Sequence, residues 1–284
     1  MKKVLLTGAS GFVGRNILAF LEKHYEVKAP KRQELNVVDE HSVDNYLKDN
    51  KFDIVVHCAN ISPLNNPADR SENILEYTLR AFLNIAKYSG DFEKIIYTGS
   101  GAEYDKRFDI KMAKEEDIGK HIPADHYGYA KYILNTIARN SENIYNLKLF
   151  GCYGPTDAKT KFIRDAIDCC LENKAVSVRQ NCFFEYLYVG DLAEIIHWFI
   201  ENKPKYHDYN MSTNTPTDLV TIAQMVADKM GNRKKIEIAK EGLNKEYTAS
   251  NQRLVSELKN FRFTTLSEGI DKQIAWQADK GYFK

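Results

Sequence analysis

The chain has 284 residues, of which 43% are hydrophobic and 28% charged, enough to bury one large core or two smaller ones. A formal net charge of +1 supplies no basic field for nucleic acid or anionic lipid, so a phosphate on any ligand has to be met by local groups. No stretch of about eighteen apolar residues is present, and Met1-Lys2-Lys3 leads into a short apolar run rather than a signal peptide. A cytoplasmic protein without membrane or nucleic-acid partners is therefore expected.

In chain order, Lys3 to Leu6 forms an apolar run of strand length, followed at once by Thr7-Gly8-Ala9-Ser10-Gly11-Phe12-Val13-Gly14. After it Ile17, Leu18, Leu21 and Tyr25 recur at helical spacing. In a strand, glycine turn and helix of this kind Gly8 permits the tight bend, Gly11 lets the backbone approach a pyrophosphate, and Gly14 lets the helix pack on the strand. The helix N-terminus, at Phe12 and Val13, then turns its N–H groups toward the phosphates of a bound dinucleotide. Further strands are expected at Glu26 to Ala29, Ile54 to Cys58, Lys94 to Thr98 and Asn146 to Phe150, with helices near 40 to 49, 71 to 89 and 127 to 141. Such alternation predicts an α/β fold, a parallel sheet covered by helices on both faces, with ligands at the C-terminal ends of its strands. The five cysteines, Cys58, Cys152, Cys169, Cys170 and Cys182, are odd in number and lack C-x-x-C spacing, so they read as reduced packing residues, with no metal site.

The segments that follow the strands carry the candidate chemistry. After Thr98 comes Gly99-Ser100-Gly101-Ala102-Glu103-Tyr104, where Ser100 either donates to a substrate oxygen or caps a turn. Of seventeen tyrosines only Tyr127 has a lysine four residues on, Lys131, which places both on one helix face. An ammonium beside a phenol favours its charged form and is expected to lower a pKa of about 10. A tyrosine so tuned passes a proton to or from a substrate oxygen.

The glycine turn, Ser100, and Tyr127 with Lys131 stand in the order and spacing of the short-chain dehydrogenase/reductases, and the chain resembles their extended group, the NAD-dependent epimerase/dehydratase enzymes acting on nucleotide sugars. Phe52-Asp53-Ile54-Val55-Val56-His57-Cys58-Ala59-Asn60 resembles that group's fourth strand, whose last residues pass beside the cofactor. Leu149-Phe150-Gly151-Cys152-Tyr153-Gly154-Pro155 is similar to the segment lining the nicotinamide pocket. Phe184 to Ala193 looks like the later crossing into a helix of the nucleotide-binding unit. Tyr209 to Ser212, Leu219 to Met230 and Phe263 to Ile270 resemble landmarks of the substrate-binding part. The resemblance implies a doubly wound Rossmann sheet in residues 1–150 plus about 185–205, and a smaller C-terminal α/β substrate domain in about 151–184 and 206–284. It further implies Tyr127 as general acid or base, Ser100 as the group orienting the reacting oxygen, and Lys131 as both the modulator of Tyr127 and the holder of the nicotinamide ribose.

Departures from the family narrow the reaction. The sugar 4,6-dehydratases carry Asp and Glu after the catalytic hydroxyl residue, where this chain has Gly101 and Ala102, so dehydration is not expected. Arg32 to Asp39 resembles the GDP-fucose synthase branch, whose epimerising cysteine is replaced here by Ala102 and whose downstream histidine has no counterpart between His126 and His197. Reduction of a keto group on a nucleotide-activated sugar, or a 4-epimerisation, remains. An intact triad argues against the alternative of a non-enzymatic dinucleotide sensor. About twenty residues beyond the glycine turn, Lys31 or Arg32 offers a cation to a ribose 2′-phosphate, favouring NADP(H), while Glu34 leaves NAD(H) open. Asn36 and Val37 match positions that flank the adenine. Where the family commonly places a phosphate-binding arginine this chain has Phe184, leaving Arg179, or Lys161 and Arg164, as substitutes. By analogy with the group, the helices near 71 to 89 and 127 to 141 would pair in a homodimer.

Overall fold

The computed structural model describes residues 1–60 and 73–279. β1 (Lys3–Thr7) is buried on both faces, with Val4 and Leu6 packed on one side against Leu192, Ile196 and Phe199, and Leu5 on the other against Val43, Phe82 and Ile85. That double burial is why the run reads as continuously apolar. α1 (Phe12–Leu21) follows, burying Gly14, Ile17 and Leu21. Next come β2 (Glu26–Lys28), α2 (Glu40–Asp49), β3 (Ile54–His57), α3 (Ile74–Ala86) and β4 (Lys94–Ser100). Residues 71 and 72, expected in the third helix, lie outside the described residues. β5 (Ile110–Ala113), α4 (His126–Arg139) and β6 (Ile144–Leu149) complete the first half. Asp39 caps α2 and Asp125 caps α4, each accepting first-turn N–H groups as Asp does at helix starts.

The second half holds β7 (Cys152–Tyr153), α5 (Phe162–Leu171), β8 (Ser177–Asn181), β9 (Phe183–Phe184), β10 (Leu187–Tyr188), α6 (Val189–Glu201) and β11 (Asp208–Met211). It ends with β12 (Thr217–Asp218), α7 (Leu219–Lys229), β13 (Glu237–Leu243), β14 (Tyr247–Ala249), α8 (Gln252–Glu257) and α9 (Leu266–Asp279). The main sheet has six strands in the order β11-β6-β4-β3-β1-β2, all parallel. From β1 the chain winds one way to β2 and the other way to β3, so a crevice opens at the C-terminal ends of β1 and β3.

The edge strand β11 corrects the expected boundary, which gave 206–284 to the smaller part. Asp208 to Met211 pairs with Asn146 to Leu149 and belongs to the main sheet. An apolar-run criterion misses it because Asp208 and Asn210 are polar, yet buried and bonded: Asp208 to Arg139 and Lys148, and Asn210 to Tyr104 and the Ala113 carbonyl. The aromatic run Phe183 to Tyr188 forms two short strands and leaves Phe183 exposed.

A second core gathers Ile163 and Ile167 of α5, Val178 of β8, Ile222 and Val226 of α7, and Ile270 of α9. Above the main sheet's C-terminal edge a four-stranded sheet runs β12-β9-β14-β5, joining a strand of the first half to strands near the end of the chain. No helix among the described residues is long and apolar enough to cross a membrane.

Candidate active site

The residues that follow β1, β3, β4 and β6 meet in one cleft of about 420 Å³. Its floor begins at the glycine turn. Gly8 has φ +74°, and a Cβ there would stand 2.5 Å from the Ala59 nitrogen, while one at Gly14 would stand 2.3 Å from the Gly8 carbonyl oxygen. Only glycine lets the turn, the helix and the β3 end approach so closely. Gly11 begins α1 with no side-chain cap, so no side chain occupies the anion-binding end of the helix. Asn16 ties α1 to the opposite wall, donating to the Pro155 carbonyl at 2.8 Å and to Thr156 Oγ1 at 3.0 Å.

The same cleft is lined by Ser100, Tyr127 and Asn60. A Cβ on Gly128 would meet the Ala102 carbonyl at 2.6 Å, so the glycine after Tyr127 lets α4 seat against the turn after Ser100. Asn60 Nδ2 donates to the Tyr127 hydroxyl at 3.3 Å. Both readings of Ser100 hold at once: its Oγ caps the turn by accepting from the Ala102 N–H at 3.1 Å, and the hydroxyl also reaches the Tyr127 phenol, whose ionisation it favours. Lys131 is buried beneath the cleft, its Nζ donating to the Thr98 carbonyl at 2.9 Å and lying 5.9 Å from the centre of the Tyr127 ring.

The expected lowering of the Tyr127 pKa is not found. Burial raises it above the ordinary phenol value, Ser100 and Asn60 pull it back, and Glu103 and Asp125 push it up. The lysine spends its hydrogen bond on Thr98, and burial pushes Lys131 itself down.

Gly8, Gly11, Phe12, Val13, Gly14, Cys58, Asn60, Ser100, Tyr127 and Cys152 all line the cleft. Ala59 packs behind it against Gly8, its N–H directed at Thr7 Oγ1 at 3.4 Å. Lys31 and Arg32 are exposed on the turn after β2, and the Glu34 carboxylate accepts the Lys31 backbone N–H at 2.8 Å. Asn36 and Val37 stand apart from the cleft walls and brace helices, the Asn36 N–H donating to Ser42 Oγ at 3.0 Å and the Val37 carbonyl accepting from Asn84 at 3.0 Å. Arg179 is a correction: it projects to solvent from β8, whose alternate residue Val178 is buried, and it does not reach the cleft. Of the substitutes, Lys161 lines the cleft, whereas Arg164 turns inward to the Asp157 carbonyl at 2.9 Å.

Several residues at the site were missed by sequence reasoning. Arg15, next to Gly14, lines the cleft and adds a cation near the helix start. Tyr247 of β14 places its ring 5.0 Å from those of Phe150 and Phe184, and its hydroxyl occupies the space a Gly101 side chain would need, 2.4 Å from the Cβ position. Burial raises this phenol too, and the Ser100 hydroxyl pulls it back, so Ser100 stands between two tyrosines. The absence of a side chain at Gly101 was the one available signal. Glu103, within the Ser100 motif, is fully buried, a placement its charge conceals.

A model of the family described as NAD dependent epimerase/dehydratase matches residues 4–212. Among curated proteins, a GDP-L-colitose synthase of Yersinia pseudotuberculosis is 27% identical over 230 residues, 72% of this chain and 73% of the relative. Among solved structures, a GDP-mannoheptose C4 reductase from Campylobacter jejuni with NADP bound superposes with a TM-score of 0.84 at 18% identity, covering 98% of each chain. A GDP-L-fucose synthetase from Naegleria fowleri gives a TM-score of 0.84 at 16% identity, covering 98% of this chain and 94% of that one.

Proposed function

Because this chain belongs to the NAD dependent epimerase/dehydratase family, we propose that it reduces a keto group on a nucleotide-activated sugar with NADPH. The observation that carries the reading is the meeting of Ser100, Tyr127 and Asn60 with the uncapped start of α1 in one cleft. The space kept clear by Gly8 and Gly14 fits a pyrophosphate, and Arg15 and Lys161 add local cations that the net charge does not supply. When bound, the dinucleotide supplies the hydride. Tyr127 gives its proton to the carbonyl oxygen as charge grows there, Ser100 and Asn60 hold that oxygen and the phenol in line, and the buried Lys131 ammonium steadies the phenolate left behind. A phenol raised by burial is protonated at neutral pH and so stands ready as the proton donor of the reductive direction. The exposed pair Lys31 and Arg32 favours a 2′-phosphate, and the GDP-linked sugars named for the relatives suggest a nucleotide diphosphate handle.

The test is a panel of 4-keto sugars linked to GDP, UDP, CDP and dTDP, offered with NADPH and with NADH. Cofactor oxidation with one nucleotide class is expected. A protein that binds neither dinucleotide in a fluorescence titration would end the proposal, and NAD released only by acid extraction would replace it with a 4-epimerase.

A further inference from the structure

Glu103 has no place in the proton step above, yet it is completely buried within the turn that carries Ser100. Its Oε1 accepts the Ser100 backbone N–H at 2.9 Å, and its two oxygens share the Asn146 amide, at 3.1 and 2.9 Å. Asn146 in turn donates to Asn135 Oδ1 at 2.8 Å. Asn135 stands one turn beyond Lys131 on α4, so the chain of bonds ends on the helix face that carries Tyr127 and Lys131. Gly99 makes room for it: a Cβ there would lie 1.9 Å from Asn146 Oδ1 and 2.5 Å from Glu103 Oε1. Among the described residues Glu103 has no contact ion pair; a carboxylate buried in that way is costly, and such a group beside a reactive centre invites a functional reading.

We infer that Glu103 is a positioning residue for the reaction: its carboxylate is the buried counter-charge of Lys131 and, through the Ser100 backbone N–H, the clamp on the serine. The groups facing it are Lys131, Tyr127 and Asn135 from α4, Lys148 and Asn146 from β6, Tyr97 from β4, the neighbouring Tyr104, and Tyr247 from β14. Two cations act on Glu103, Lys148 more strongly than Lys131; Lys148 is also bonded to Asp208, whereas Lys131 is the one that lies beside Tyr127. Lys131 faces His57, the Cys58 thiol, and the rings of Tyr97 and Tyr127. Burial holds His57 neutral and pushes Cys58 up to about 12, so Glu103, itself pushed up to about 7 by burial, is the acidic group left to offset the Lys131 charge as it ionises. The pair is mutually dependent: burial pushes Glu103 up and Lys131 down, and each charge opposes the shift of the other.

The consequence for turnover rests on the functional reading above, but the placement of charge is tested without it. Glu103→Gln removes the charge and keeps an oxygen for Ser100; its new N–H faces Asn146 Nδ2, and the clash is relieved when the Asn146 and Asn135 amides turn over, bringing in Asn146 Oδ1 and Asn135 Nδ2, which have no hydrogen-bond partner among the described residues. In NMR of isotope-labelled lysine, with Lys131 assigned by its loss in Lys131→Arg, the titration midpoint of Lys131 is expected to fall by about one pH unit in Glu103→Gln. An unchanged midpoint overturns the inference. Should that variant fail to fold, the wild-type Lys131 signal decides, since a second inflection is expected as the carboxyl titrates beside it, and a single-step curve overturns the idea. With a substrate from the panel, the alkaline limb of kcat moves to lower pH in Glu103→Gln, and the wild-type to variant ratio grows to about tenfold along it while KM holds. If no panel member turns over, the functional reading falls while the lysine titration still decides on Glu103.

Discussion

Lys131 Nζ donates to the carbonyl oxygen of Thr98 at 2.9 Å, tying α4 to the end of β4 two residues before Ser100. The lysine therefore fixes the distance between the two hydroxyls of the site, in addition to setting charge. Tyr127→Phe removes only the proton donor and should cut turnover by about two to four orders of magnitude while leaving cofactor affinity nearly unchanged. Lys131→Met leaves the Thr98 carbonyl without its donor, and should lower thermal stability by about 1–3 kcal/mol and weaken cofactor binding as well. Steady-state kinetics with a cofactor fluorescence titration separates the two patterns, and equal activity of Tyr127→Phe removes Tyr127 from the mechanism.

Gly14→Ala tests the cradle. The added methyl would stand 2.3 Å from the Gly8 carbonyl oxygen and 2.8 Å from the Ala9 Cα, both backbone atoms that cannot step aside alone. A loss of about 1–3 kcal/mol in urea unfolding is expected, with dinucleotide binding falling further than stability, because the turn must open where a pyrophosphate would sit. A variant that binds NADPH as well as the wild type would remove the glycine turn from the cofactor site.

Tyr247 and Ser100 should act as a unit. The Ser100 Oγ already accepts from the Ala102 N–H, and its single proton is shared between the Tyr127 and Tyr247 phenols, so Tyr247 bears on which way that proton points. Tyr247→Phe keeps the ring between Phe150 and Phe184 and should lower kcat about tenfold with little change in KM. In a Ser100→Ala background the same change should do almost nothing, and additive losses in this double-mutant cycle would mean that Tyr247 acts elsewhere.

What could be read from the sequence, and what could not, divides by range. β1, β3 and β4 announce themselves because sheets buried on both faces need unbroken apolar runs, and Gly8, Gly14, Tyr127 and Lys131 because their spacing is local. Tyr247 reaches Ser100 only through the pairing of β14 with β5 and β9, a contact that no local pattern encodes. Arg179 fails for the converse reason: proximity in sequence to Phe184 does not survive the turn between β8 and β9, which sends the two residues to different sheets. The Tyr127 pKa was misjudged because spacing reveals a neighbouring charge but not burial, and here burial is the larger effect.

The exposed pair Lys31 and Arg32 should govern cofactor choice without touching chemistry. Replacing Arg32 by Asp, with Lys31→Ala, removes the cations at the end of β2 and should shift the preference from NADPH toward NADH by about tenfold or more in kcat/KM. Turnover at saturating NADH should be unchanged. A double variant that keeps its NADPH preference would move the 2′-phosphate contact to another cation, with Arg15 of the cleft wall the first to examine.

His57 should make the fold sensitive to mild acid. It lies buried at the end of β3, its Nδ1 2.9 Å from Thr7 Oγ1, with the Lys131 charge nearby, and burial first and that charge second lower its pKa to about 3. The unfolded chain binds a proton near pH 6.5 that the folded one refuses. Stability is therefore full above about pH 6.5 and is lost as pH falls toward 3, at about 1.4 kcal/mol per unit, or about 2 kcal/mol by pH 5. Other groups titrate in the same window, so the informative quantity is a difference. Urea unfolding of wild type and His57→Gln at pH 7.5 and pH 5 should show the variant losing about 2 kcal/mol less between the two conditions. Parallel losses would mean that the imidazole gains its proton without unfolding, and with it that the space beneath the cleft admits a second cation beside Lys131.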